Sequence, residues 1–165
     1  MRVIERLGAA GLACGLCVGM LALPAAAETL SWRQTSVQAG REGQSALRRG
    51  VVIFGNGEPA LMTVRLTPLA PPQDGQMMVQ NDLSYRFEDG STLALQSCSQ
   101  VRVTPEGRAV RGELLSEGQV LSGTGRYQGA TGRFKMRSRT DIDALADGAL
   151  GDYFAAVEAD IQLPK

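Results

Sequence analysis

Few side chains in this sequence suit acid–base or nucleophilic chemistry. The 165 residues include no histidine, which excludes Ser/His/Asp and Cys/His catalytic systems and metal sites built on imidazole. Carboxylates, phenols and thiols remain for proton transfer. The acidic residues form no paired motif: Glu88 and Asp89 fall in a predicted turn, and we expect them to face solvent, as do Asp141 and Asp143. The sequence predicts no cofactor, no metal site and no assigned catalytic residue.

Three polar side chains on apolar strand faces are the candidates for ligand contact. Asn81 interrupts an apolar face, and Tyr85 and Tyr153 place phenols on such faces. Inside a barrel, such groups could orient a small ligand. The alternative is that each is a core position with an internal hydrogen-bond partner, which a buried hydroxyl normally finds. We predict Asn81, Tyr85 and Tyr153 as candidate ligand-binding residues.

The first 27 residues have the pattern of a secretory signal. Arg2 and Arg6 precede an uncharged apolar run at residues 7–23, which Pro24 ends. Small alanines follow, so cleavage is expected between Ala27 and Glu28. The sequence therefore predicts a signal peptide at 1–27, a single domain at 28–165, and a secreted or periplasmic protein without a membrane span.

The cysteines bear on the same question. Cys14 and Cys17 lie in the predicted leader, which leaves Cys98 alone in the mature chain and excludes an intrachain disulfide there. We expect Cys98 to be a small buried hydrophobe; the alternatives are an exposed thiol or an intermolecular bridge. Two other interpretations of the leader are an uncleaved anchor, for which the apolar run is shorter than the ~20 residues of a span, and lipid attachment at Cys14.

Apolar and polar residues alternate through most of the remaining sequence, which predicts an all-β chain. The pattern is cleanest at residues 77–87 and 133–143, where each stretch has one apolar and one polar face. Glu88-Asp89-Gly90-Ser91 is a predicted hairpin turn. The other stretches expected to be extended are 30–37, 49–54, 60–67, 92–103, 109–115, 119–121 and 151–163.

Turn and loop signals separate these stretches, and about eight strands result. A turn at 116–118 is predicted to divide 109–115 from 119–121, another is expected at 104–107, residues 68–75 read as a loop, and 141–150 could hold a short helical turn. Short strands with one apolar face bury that face in a sandwich or a closed barrel, and closure also removes exposed edges. We predict a single eight-stranded antiparallel β-barrel, whose interior is filled by side chains or holds one small ligand.

Residues 123–134 form the most distinctive segment, in which Thr-Gly-Arg-aromatic occurs twice. The segment has neither a Gly-Lys-Ser/Thr ending nor G-x-G-x-x-G spacing, so no phosphate-binding loop is predicted. Its glycines favour a sharp turn packed under a barrel end, with Tyr127 and Phe134 as plugs, over direct ligand contact. The residues that define the segment are Gly123, Thr124, Gly125, Arg126, Tyr127, Gly129, Ala130 and Gly132.

This segment resembles the Gly-Thr-Gly-Arg-aromatic-x-Gly-Ala-x-Gly signature of the allene oxide cyclase-like and dirigent-like β-barrels, particularly their bacterial exported members. The Tyr-Arg-Phe-Glu-Asp-Gly-Ser sequence at 85–91 is similar to the hairpin that precedes it in those members. The resemblance spans roughly residues 77–140. It implies an eight-stranded antiparallel barrel, often trimeric in plant members, with a hydrophobic lumen that steers a reactive small molecule. It assigns no catalytic residue to this chain.

Three functions are compatible with such a barrel. The favoured one is an exported protein that binds a small apolar molecule in its lumen. The second is an isomerase or cyclase that confines a reactive substrate and excludes water. The third is an oligomeric interaction module whose basic strand face meets an acidic partner, although charged strands also serve to prevent aggregation; that face carries Arg133, Lys135, Arg137 and Arg139. With 17 basic and 17 acidic residues, no net field attracts nucleic acid.

Overall fold

The chain folds into a single closed antiparallel β-barrel. The structure, a computed structural model, describes residues 27–71, 73–102, 109–143 and 152–163. Each strand pairs with its neighbours in the sequence, and the first strand also pairs with the last, which closes the barrel. The strands are β1 (Ala27–Glu42), β2 (Ser45–Phe54), β3 (Pro59–Pro68), β4 (Gln76–Phe87), β5 (Thr92–Arg102), β6 (Ala109–Thr124), β7 (Thr131–Asp143) and β8 (Asp152–Gln162).

The alternation of residue types determines which side chains fill the barrel. In β4 the residues from Val79 to Phe87 with odd numbers are buried, while Ser84 and Arg86 face solvent. The apolar residues of β8 from Ala155 to Ile161 point inward in the same way. The eight-stranded barrel predicted from the sequence is confirmed. No helix in the described ranges is long and apolar enough to cross a bilayer.

The predicted turn between β4 and β5 is confirmed. Gly90 has a φ of 82°, which glycine adopts at little cost. The Asp89 carboxylate accepts hydrogen bonds from the backbone N–H of Ser91 at 2.9 Å and from its hydroxyl at 2.5 Å. These two bonds stabilise the turn, because they connect Asp89 to a residue two positions later, across Gly90.

The prediction of a turn at 116–118 is wrong, because β6 is one continuous strand through those residues. Ser116, Glu117 and Gly118 pair in register with Met136, Lys135 and Phe134 of β7. The small residues that suggested a turn have defined places in the strand. The Ser116 side chain faces the interior, and Gly118 leaves room for the Phe134 ring. A serine buried in a barrel and a turn serine cannot be told apart by local pattern.

Three other predictions concern the ends of strands. Residues 141–143 belong to β7 rather than to a helical turn. Outside the described residues lie 144–151, the predicted turn at 104–107, residue 103 and residues 1–26 of the predicted leader. The predicted loop after β3 is present at residues 69–71 and 73–75, and Gln73 and Gln76 exchange backbone hydrogen bonds of 2.8 Å across its turn.

One end of the barrel is filled by aromatic rings, and we call it the aromatic end. The turns after β2 and β4 and a short 3-10 helix, Gly125–Tyr127, lie there. Ring centroids are 5.1 Å apart for Trp32–Phe54 and for Phe54–Phe87, and 4.7 Å for Phe87–Tyr127. Tyr127 and Phe134 are both buried, as the glycine segment predicted. The interior at this end is solid core.

Candidate functional site

A layer of polar side chains lies in the interior away from the aromatic end, and a second apolar cluster, Val79, Val101 and Leu114, lies in the same half. Among the described residues, eight polar or charged side chains are buried on the inner faces of β1, β2, β4, β5, β6 and β7. These are Gln34, Ser36, Arg48, Asn81, Ser97, Ser99, Ser116 and Ser138. A polar layer of this size inside a small barrel costs desolvation energy unless its members are hydrogen-bonded.

Arg48 is the cation of this layer and is 1% exposed. It projects from β2, where Nε donates to Ser36 Oγ at 3.0 Å and Nη2 donates to the Ser36 carbonyl oxygen at 2.8 Å. The guanidinium carbon lies 5.5 Å from the centroid of the Tyr153 ring, within the range of a cation–π contact. These contacts fix the orientation of a positive charge inside the barrel.

A hydrogen-bonded group of β1 and β4 lies between Arg48 and the aromatic end. Tyr85 Oη donates to Gln34 Oε1 at 2.7 Å, and Trp32 Nε1 donates to Gln34 Oε1 at 3.2 Å and to Tyr85 Oη at 3.3 Å. Burial raises the pKa of Tyr85 well above its ordinary value, and the hydrogen bond from Trp32 opposes this only in part. The phenol therefore stays protonated at neutral pH.

Tyr153 is partly buried on β8 and faces the same space. Its hydroxyl lies 3.2 Å from Met136 Sδ. Burial raises its pKa, while hydrogen bonding with Ser138 and Gln34 and the charge of Arg48 act in the opposite direction. Like Tyr85, it is a hydrogen-bond donor rather than a base at neutral pH.

Asn81 lies on the opposite wall, where it joins three serines. Its Nδ2 donates to Ser99 Oγ at 2.7 Å and to Ser97 Oγ at 3.0 Å. The Ser99 and Ser116 hydroxyls are 2.5 Å apart. Within the described part of the chain, no buried side-chain nitrogen or oxygen lacks a hydrogen-bond partner. The three residues singled out from the sequence therefore share one interior, on two walls, and each has partners in the protein.

Arg48 was missed by the sequence analysis, although the sequence contains a signal for it. The alternation predicts a strand that starts at residue 49, one position after Arg48. Counting back from Phe54 and Val52 by twos reaches Gly50 and Arg48, which places Arg48 on the inner face. Two consecutive arginines in one strand must point to opposite sides of the sheet.

The expectation that Cys98 is buried is wrong, because its side chain is exposed. Leu93 and Leu95 are buried and set the phase of β5, so that Ser97 and Ser99 face inward and Cys98 faces outward. A register shift of β5 by one residue would bury Cys98 but would expose both leucines to solvent. Burial of the two leucines therefore outweighs the preference of one cysteine for the interior.

A cleft of about 470 Å³ lies outside the aromatic end, between the start of β1 and residues 54–58. Arg126 lines it, but its guanidinium is 2.5 Å from Glu58 and packs 4.5 Å from the centroid of the Phe87 ring. These contacts give Arg126 a structural role in holding the glycine segment over the barrel end. Within the described ranges, no three cysteine or acidic side chains lie close enough together to hold a metal ion.

The interior thus combines one fixed positive charge with two protonated phenols. None of the buried side chains that the structure describes is a carboxylate. At neutral pH such a set can donate hydrogen bonds to an acceptor and stabilise negative charge on it. Neither phenol is poised to remove a proton, since both have raised pKa values.

Comparison with known proteins supports the fold. No family model and no curated protein match the sequence. The solved structure of the pterocarpan synthase dirigent protein is similar, with a TM-score of 0.50 and 13% sequence identity over 87% of this chain and 88% of that chain. The chain therefore has a dirigent-like barrel fold, as the hairpin and the glycine segment indicated.

Proposed function

We propose that this chain is an exported β-barrel protein that binds one small molecule in the polar half of its interior. The ligand has an apolar body and an acceptor or anionic group. The observation that carries this proposal is Arg48, a cation 1% exposed inside the barrel and oriented by two hydrogen bonds to Ser36. The guanidinium and the Tyr153 ring lie together, 5.5 Å from guanidinium carbon to ring centroid, and charge-assisted donors form strong hydrogen bonds to acceptor groups.

The surroundings of Arg48 fit such a ligand. Val64 lies beside it in β3 and supplies apolar surface, while the Tyr153 hydroxyl is a protonated donor on the neighbouring wall. Ligand sites in proteins combine mostly apolar walls with a few placed polar groups. Stacked rings fill the aromatic end, so the ligand enters from the opposite end, past the apolar cluster of Val79, Val101 and Leu114.

The test is recovery of a bound molecule. The full chain is expressed with its leader, the exported protein is purified without denaturation, and its mass is measured under native and denaturing conditions. We expect an additional mass on the native protein that is released on unfolding. Arg48→Met should lose it, whereas Arg49→Met, which removes the adjacent exposed arginine, should retain it.

Two results would overturn the proposal: a wild-type protein that carries no small molecule, or a folded Arg48→Met protein with the occupancy of the wild type. Arg48→Lys keeps the charge and guards against a variant that fails to fold. Circular dichroism and a thermal melt report folding for each variant.

A second candidate is an isomerase or cyclase, and one observation favours it. The guanidinium carbon of Arg48 lies 5.5 Å from the centroid of the Tyr153 ring. A protonated phenol and a cation in this arrangement could together stabilise negative charge that develops in a confined substrate. If so, the recovered molecule is a product, and Tyr153→Phe lowers turnover of its precursor more than binding. If every candidate precursor is recovered chemically unchanged after incubation with the protein, the protein binds its ligand without converting it.

A further inference from the structure

The outer face of the barrel divides into a charge-balanced part and a part in which arginines outnumber acidic residues. On β7, Arg133 pairs in register with Asp160 of β8. Lys135 pairs with Glu158, and its Nζ lies 3.3 Å from Glu117 of β6. These two cations are therefore compensated by carboxylates on neighbouring strands.

The next outward position on β7 starts a row of different composition. Reading across the paired strands β6, β7, β8, β1 and β2, all members of this row are exposed and none is acidic. The row is Leu115, Arg137, Ala156, Arg33 and Ile53.

The following position gives a second row, which crosses β7, β8, β1, β2, β3 and β4. On β6 it is bounded by Glu113, which pairs in register with Arg139. All its members are again exposed, and none is acidic. The row is Arg139, Phe154, Thr35, Val51, Leu61 and Arg86. We call the two rows together the cationic–apolar band.

Large apolar side chains are unusually exposed in this band. Leu115 is 70% exposed, Phe154 57% and Leu61 54%. Contiguous apolar patches rimmed by polar groups mark interaction sites on soluble proteins. Within the ranges that the structure describes, no carboxylate forms an ion pair with Arg33 or Arg137, so that the band presents both uncovered apolar surface and uncompensated positive charge.

The band has a depression of about 320 Å³ where its two rows meet. Its floor is Ala156, which lies in register between Arg137 on one side and Arg33 on the other. Phe154 and Arg139 complete the wall. The small side chain between two guanidinium groups provides a place for one carboxylate beside an aromatic ring.

We propose that the cationic–apolar band binds an acidic polypeptide segment that presents carboxylate and apolar side chains on the same face. The second row spans six paired strands, about 24 Å at the usual strand spacing, which an extended segment of about seven residues covers. Six of the eight strands wrap most of the circumference, so a flat bilayer could contact only part of the band. A second copy that docked through the same band would place arginine against arginine.

This proposal is independent of the interior ligand, because every residue that carries it faces outward. The test uses a fluorescent ten-residue peptide of repeated Glu-Glu-Val-Val, which carries both residue types on each face of an extended chain. The same peptide with glutamine in place of glutamate is the control, and anisotropy measures binding to the purified protein. We expect saturable binding of the glutamate peptide alone, weakened by added salt. Arg33→Gln/Arg137→Gln and Phe154→Ser should each weaken it by about tenfold, as expected for contacts at the centre of an interface.

Lys135→Gln is the matched control, since it removes a cation from the same strand face outside the band. Equal weakening by Lys135→Gln and by Arg33→Gln/Arg137→Gln would mean general charge attraction and would overturn the proposal. So would the absence of saturable peptide binding, including the case in which the protein instead co-sediments with phosphatidylglycerol vesicles. Self-association that Phe154→Ser abolishes, without peptide binding, would assign the band to contacts between copies and would also overturn it.

Discussion

At the scale of single residues, the pleat of the strand decides the environment more strongly than residue type does. Arg48 and Arg49 are chemically identical neighbours, but the first is buried and the second is exposed. Cys98, of a type that prefers the interior, faces solvent between two buried serines. The buried polar groups are stable because each has partners, so the hydrogen bonds of the interior contribute to stability as well as to any ligand site.

Tyr85→Phe tests the energetic weight of these interior bonds. The substitution removes a hydroxyl that donates to Gln34 Oε1 and accepts from Trp32 Nε1, without changing the apolar volume. We expect the free energy of unfolding to fall by about 1–2 kcal/mol, measured by urea denaturation. The loss should be smaller in a Gln34→Met background, in which the main partner is already absent; an equal loss in both backgrounds would contradict a role for this hydrogen bond.

At the scale of elements, cross-strand packing decides whether a stretch of turn-like composition forms a turn or continues a strand. The turn at 88–91 was predictable because its hydrogen bonds are local, between Asp89 and Ser91. The strand character of 116–118 was not, because it depends on β5 and β7, which are distant in sequence. A local sequence pattern does not show which distant strands will pair with the segment.

Gly118→Ala tests the role assigned to glycine within β6. An added Cβ would overlap the backbone oxygen of Gln96 and lie 2.5 Å from Cε1 of the Phe134 ring. Both contacts are closer than packed atoms tolerate, so that the strand and the ring must move. We expect destabilisation of about 2–4 kcal/mol in a chemical melt. Gly40→Ala is the control, since a Cβ there meets no atom within 4 Å. Similar stability of the two variants would show that the glycine is not needed for packing.

Asp89→Asn tests the electrostatic part of the β4–β5 turn. Hydrogen bonds from the Ser91 side chain and then its backbone hold the pKa of Asp89 below its ordinary value. The folded state thus favours the ionised carboxylate, so this stabilisation is present above the unfolded pKa, near ~3.9, and is lost as pH falls through the lower folded value.

We therefore expect Asp89→Asn to be less stable than the wild type at pH 7, with the difference shrinking as the pH is lowered below about 4. Urea denaturation at several pH values measures it. Glu88→Gln, which removes the adjacent exposed carboxylate, is the control. A wild-type–variant difference that stays constant down to acid pH would rule out the ionised carboxylate as its source.

At the scale of the whole molecule, closure of the sheet creates both candidate surfaces. Pairing of β1 with β8 places Tyr153 opposite Ser36, which is what brings the phenol to Arg48. The same pairing sets Arg33 beside Ala156 on the outer face. The interior site and the cationic–apolar band therefore both depend on a contact between the two ends of the described chain.

The predicted leader has a testable consequence for the mass and the thiol content of the mature chain. Removal of residues 1–27 would eliminate Cys14 and Cys17, and Cys98 is exposed. We expect an intact mass for a chain that begins at Glu28 and one thiol equivalent that reacts with a disulfide reagent without denaturant. Retention of the leader mass contradicts cleavage, and a thiol that reacts only after denaturation contradicts the outward position of Cys98.

The sequence alone determined the alternation, the hairpin turn, the glycine segment and hence the barrel, because these features depend on residues that are close together in the chain. Tertiary structure decided the rest: the continuity of β6 through Gly118, the burial of Arg48 and the convergence of Arg33 and Arg137 on Ala156. The physical reason is that strand pleating is a local property of the backbone, whereas register and closure join residues more than a hundred positions apart, such as Arg33 and Ala156. Those long-range pairings determine which polar groups share the interior and which charges meet on the surface.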